Sequence, residues 1–133
     1  MIIESKKVNV KNSQAEVFDY LGDLNNFKEL LPQDKISEWQ SATDFCSFKV
    51  QGMATIDMHL KSSESNVHHI VSGERAPFSF KLDIYVNEDG SNCIAYNVFN
   101  GEINPFLKMM VEKPLTNLFN YIADRLAVVK SQN

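Results

Sequence analysis

Apolar residues recur along this chain at two distinct periods. Towards the end the steps are four and three: Leu107, Val111, Leu115, Leu118, Ile122, Leu126 and Val129, the one-sided spacing of an amphipathic helix. Asn104 is a good N-cap, and Pro105 stands at the first helical position, where its missing N–H costs nothing. The helix so predicted, residues 104–130, is roughly 40 Å long at about 1.5 Å per residue. A helix of that length needs one large partner surface.

The preceding residues supply it, because from 36 to 102 the period is two. The clearest alternation lies in 53–62, with Ala54, Ile56, Met58 and Leu60 on one face and Thr55, Asp57, His59 and Lys61 on the other, the pattern of a half-buried strand. Residues 78–86 repeat it, setting Phe78, Phe80, Leu82, Ile84 and Val86 against Ser79, Lys81, Asp83 and Tyr85. Further strands are predicted over 2–10, 36–41, 44–50, 67–73 and 93–102, with turns at Gln51-Gly52, 63–66 and Asp89-Gly90. Between the first two strands, Ser13 with Glu16 fits a capping box. The helix it opens meets Gly22-Asp23, which predicts a break and a second short helix carrying Leu24, Phe27, Leu30 and Leu31 up to Pro32.

Short turns imply antiparallel neighbours. The order therefore predicts an α+β fold in one domain, 1–133: an antiparallel sheet of about seven strands, two short helices after the first strand, and one long C-terminal helix packed across the sheet. A curled sheet leaves space where its twist and the helix diverge, so a mostly apolar cavity is expected there.

Composition narrows the partners. Of 133 residues 44% are hydrophobic and 23% charged, with a net charge of −4, an ordinary balance for a globular protein. That charge, with basic residues scattered, argues against nucleic acid. No apolar run approaches the ~20 residues of a membrane span, and Met1-Ile2-Ile3-Glu4 turns charged too soon for a signal peptide. Cys46 and Cys93 lack metal or redox spacing, so reduced thiols in a cytoplasmic protein are expected. The three histidines do not converge: His68 and His69 face opposite ways on a strand, and His59 sits on a polar face. No metal and no cofactor is called for, and the chain is expected to be a monomer or homodimer.

The element order resembles the START-like, helix-grip superfamily, also labelled SRPBCC, which includes pollen-allergen-like proteins, polyketide cyclases and lipid-transfer domains. The run Asn104-Pro105-Phe106-Leu107-Lys108-Met109-Met110-Val111-Glu112-Lys113-Pro114-Leu115 is similar to the closing helix of small bacterial members, chiefly from Bacteroidetes. The resemblance implies a hydrophobic small molecule or lipid held between sheet and helix. It implies no reaction, because the superfamily hosts enzymes, carriers and adaptors alike.

On that reading the ligand would be lined by Phe48, Ile56, Met58, Leu60, Phe80, Leu82, Tyr96, Met110, Leu118, Tyr121, Ile122 and Arg125. Tyr96 depends on the register of the last strand, which its own alternation leaves open: Ile94, Tyr96 and Val98 on one face compete with Ala95, Asn97 and Phe99 on the other. Arg125 falls in line with Leu107 about five turns earlier. It takes either a ligand carboxylate or phosphate as partner, or the simpler course of reaching off the helix end to water or free carbonyls. Pro114 lies inside the long helix, where it removes a hydrogen bond and either hinges the cavity or follows the sheet's curve. Asp57 and His59 are expected to be a solvated outer pair. Three functions fit: a binding module for an apolar small molecule, a cyclase or dehydratase needing a buried acid or base among Tyr96, Arg125, His69 and Glu102, or an interaction module whose cavity its own side chains fill.

Overall fold

A computed structural model describes residues 1–132; the expected domain end at Asn133 lies outside them. The chain forms β1 (Ile2–Glu4), β2 (Val8–Val10), α1 (Gln14–Leu21), a 3-10 helix (Leu24–Leu30), β3 (Ile36–Ala42), β4 (Phe45–Val50), β5 (Thr55–Ser63), β6 (Val67–Ser72), β7 (Phe80–Asp89), β8 (Asn92–Gly101) and α2 (Pro105–Lys130). All the strands join one antiparallel sheet in the order β1-β8-β7-β6-β5-β4-β3, with β2 also on β8. The fold is the α+β helix grip.

Local chemistry places the ends. Ser13 Oγ accepts the Glu16 amide at 3.2 Å and opens α1. Asp23 caps the next helix through the Asn25 amide, and that helix is 3-10 rather than α. Asn104 Oδ1 accepts the Leu107 amide at 2.8 Å, with Pro105 next to it as predicted. The β7–β8 hairpin closes through Gly90 at φ +63°, a region glycine enters without a Cβ penalty. The single strand expected over 2–10 is two, interrupted at Ser5. The Ser5 N–H still donates to the Asn97 carbonyl at 2.9 Å, while its hydroxyl, in place of a backbone carbonyl, accepts the Asn97 amide at 2.9 Å. At the opposite edge β3 carries a bulge between Ser37 and Gln40, with Glu38 at φ +55°.

The core lies between the concave face of the sheet and α2, which buries Val111, Leu115, Leu118, Phe119, Ile122, Ala123 and Leu126. Four rings form its centre. Phe99 packs on Phe119 with centroids at 5.1 Å, on Phe80 at 5.3 Å, and edge-to-face on Phe78 at 6.2 Å and 88°. The later turns of α2 are stitched to the N-terminal segment. Asn120 Oδ1 accepts the Lys6 amide at 2.8 Å, Lys6 pairs with Asp124 at 2.8 Å, and Asn12 donates to the Lys130 carbonyl at 2.9 Å.

Candidate functional site

The register of β8 decides what faces the core. Cys93, Ala95, Asn97 and Phe99 point inward. Asn97 is tolerated there because its amide donates to the Phe119 carbonyl at 3.3 Å, and its backbone N–H is met by Ser5. Tyr96 therefore points outward, stacked on Tyr85 at 4.9 Å with the Lys7 ammonium 5.0 Å from its ring.

Between sheet and α2 is a cavity of about 20 Å³, room for about one water molecule. Of the residues expected around a ligand, it is lined by Phe48, Ile56, Met58, Phe80, Leu82, Leu118 and Ile122. Leu31, Phe78, Phe99, Leu115 and Phe119 complete the wall, which is apolar throughout. Small-molecule pockets are typically about 300–1,000 Å³, and here the four phenylalanine rings occupy that space.

The other expected residues lie elsewhere. Leu60 is half-buried at the edge of the core, where β5 breaks register against β6. Met110 is 61% exposed beside Phe106 (75%) and Met109 (86%). One residue further, Val111 turns to the core, since neighbours on a helix point about 100° apart. Tyr121 and Arg125 stand outside the core on an open groove.

That groove follows α2. Its larger part, about 600 Å³, is lined by Pro32, Asp34, Lys35, Val50, Gln51, Lys113, Pro114, Asn117, Leu118 and Tyr121. A second depression of about 340 Å³, lined by Lys28, Glu29, Leu31, Gln33, Tyr121 and Arg125, meets it at Tyr121. Leu118 and Leu31 separate the groove from the inner cavity, for each touches both. Arg125 does not enter the core. Its Nε donates to the Glu29 carbonyl at 3.2 Å, at the end of the 3-10 helix. Tyr20 donates its hydroxyl to the Glu29 carboxylate at 2.9 Å; burial first, and that bond second, raise the Tyr20 pKa. Neither Lys28, in the 3-10 helix, nor Gln33 and Lys35, in the loop after it, stood out in the sequence, because lone polar residues carry no period.

The remaining ionisable candidates are apart from this region. Asp57 is buried rather than solvated: the turn after β6 covers it, the Arg75 amide donates to Oδ2 at 3.3 Å, and Oδ1 has no partner among the described residues. Gly73 permits this closure, since a Cβ there would fall 2.1 Å from Asp57 Oδ2. His68 is buried, stacked on Phe18 at 3.9 Å, and its Nε2 faces the Phe18 carbonyl at 2.8 Å. Burial lowers its pKa below the usual histidine value. His69, on the outer face, is raised by its 2.7 Å hydrogen bond to Asp83. Cys46 and Cys93 are free and buried, and burial pushes the Cys46 thiol up to about 12. No cluster of three metal-ligating side chains exists among the described residues, and no helix there is long and apolar enough to cross a membrane.

No family model matches the sequence, and no curated protein does. Solved structures match its fold over nearly the whole chain. A START superfamily protein from Mycobacterium smegmatis superposes with a TM-score of 0.71 at 11% identity, covering 97% of this chain and 96% of that one. The protein XoxI from Bacillus cereus gives 0.73 at 14% identity, over 97% and 94%. Norcoclaurine synthase from Thalictrum flavum, in complex with dopamine and hydroxybenzaldehyde, gives 0.67 at 15% identity, over 99% and 89%. With α2 gripped by one curled antiparallel sheet, the chain has the START-like, helix-grip fold.

Proposed function

We propose that this chain, as one START-like domain, is a binding module for an apolar or amphipathic small molecule seated along α2. The observation that carries the reading is the groove of about 600 Å³ whose floor residue, Leu118, is shared with the apolar inner cavity. The groove has the volume of a small-molecule site, whereas the inner cavity is filled by phenylalanine. Binding at this seat leaves the core intact. Deeper entry would require Leu118 or Leu31 to move. A cyclase-like reaction has less support, since the inner wall offers no acid or base.

The test is native mass spectrometry on protein purified without detergent, followed by titration with an environment-sensitive apolar dye. The expected result is a discrete adduct of a few hundred daltons, or saturable dye binding that Asn117→Trp weakens by filling the groove. Bare protein with no saturable dye binding overturns the reading. A second reading, an interaction module, is favoured by one observation: Phe106, Met109 and Met110 are exposed together at the start of α2. Concentration-dependent self-association abolished by Met109→Ser would support it.

A further inference from the structure

The groove is charged against the grain of the molecule. Lys35 and Lys113 line its larger part, Lys28 and Arg125 the second depression, against only Asp34 and Glu29. Four cations against two carboxylates leave a surplus of two positive charges, on a chain whose net charge is −4. None of these four cations makes an ion pair among the described residues. Among the charged groups the wall is mainly apolar, formed by Pro32, Val50, Pro114, Leu118 and the Tyr121 ring, itself 39% exposed, with Gln51 and Asn117 as its neutral polar members.

The dimensions fit one tail. Lys113 and Arg125 are twelve helical residues apart, about 18 Å along α2. Half of a bilayer's ~30 Å hydrocarbon core, the reach of one acyl chain, is about 15 Å. The two ends are not equivalent. Arg125 is oriented, because the Glu29 carbonyl holds its Nε at 3.2 Å and leaves the terminal amino groups without a partner among the described residues. The carboxylate of Glu29, which lines the same depression, accepts the Tyr20 hydroxyl. A planar guanidinium held in this way matches a carboxylate with paired hydrogen bonds; Lys35 and Lys113 offer only flexible point charges.

We propose that the groove binds a long-chain carboxylic acid, with its tail along Pro114, Leu118 and Tyr121 and its carboxylate at Arg125 and Lys28. This rests on the binding-module reading above and adds the head group and its orientation. The ligand stays chemically unchanged.

Calorimetric titration of the intact protein with laurate and with dodecanol, the same tail carrying an anionic and a neutral head, separates the two ideas. Laurate should bind about tenfold more tightly, the size of one charge-assisted hydrogen bond. Arg125→Gln should remove most of that advantage, Lys28→Gln a smaller part, and neither should change dodecanol binding. Thermal melts of both variants confirm that the fold is kept. Equal binding of acid and alcohol, unchanged by Arg125→Gln, overturns the carboxylate assignment and leaves the binding module standing. Laurate binding that Lys113→Gln abolishes and Arg125→Gln does not overturns the orientation. Failure of both ligands to bind overturns the inference, and failure of the apolar dye as well overturns its parent.

Discussion

The two parts of α2 on either side of Pro114 are made differently. After the proline, Leu115, Leu118, Phe119, Ile122, Ala123 and Leu126 are buried, and Asn120, Asp124 and Lys130 are bonded to the N-terminal segment. Before it, only Val111 is buried, and the bonds are the helix's own: the Asn104 cap and the exposed Lys108–Glu112 pair at 3.6 Å. Between them Pro114 denies the Met110 carbonyl its usual donor, and Thr116 Oγ1 turns back to the Glu112 carbonyl at 2.7 Å. One unbroken helix thus joins a segment held by the core to a segment held mainly by its own backbone. Regular secondary structure alone says little about local stability.

The largest effects should fall after the proline. Leu118→Ala and Ile122→Ala are expected to cost about 2–5 kcal/mol each in denaturant unfolding, as buried large-to-small changes do. A cost well under about 1 kcal/mol at both would erase the contrast. Next in size is Pro114→Ala. Restoring an N–H to the ladder should stabilise by about 1–3 kcal/mol and slow amide exchange across 106–113 towards that of 115–126. Destabilisation would mean that the sheet's curve requires the proline. Asn12→Ala, which releases the Lys130 carbonyl, should cost about 0.5–1.5 kcal/mol in thermal or chemical unfolding. The smallest change is Phe106→Ser with Met109→Ser, expected within about 0.5 kcal/mol of the parent. A large loss there would show that this segment packs against something in solution.

Much of this architecture was legible in the residues. The caps at Ser13, Asp23 and Asn104 and the two hydrophobic periods lead directly to the element order, because both are local. The register of β8 was not legible. Ile94, Tyr96 and Val98 are as apolar as the residues that turned inward, and the deciding bonds of Asn97 run to Ser5 and Phe119, far along the chain. Asp57 misleads for the same reason: its strand face is polar, but a later turn closes over it beside Gly73. Summed side-chain volume decides whether the cavity is open. That depends on how Phe78, Phe80, Phe99 and Phe119 meet in three dimensions, which no period encodes. The sequence leaves Arg125 open between a ligand partner and the helix end. The groove beside it is assembled from α2 and, far from it along the chain, the 3-10 helix and the loop that follows.

The bulge in β3 has a consequence for the molecule in a crowded solution. This strand ends the sheet, so its outer N–H and C=O groups face away from any neighbour, the arrangement that invites another chain to add a strand. With Glu38 in the left-handed region and the ladder shifted between Ser37 and Gln40, an incoming strand meets a broken row of donors and acceptors and an exposed carboxylate. The edge is a poor template for fibrils.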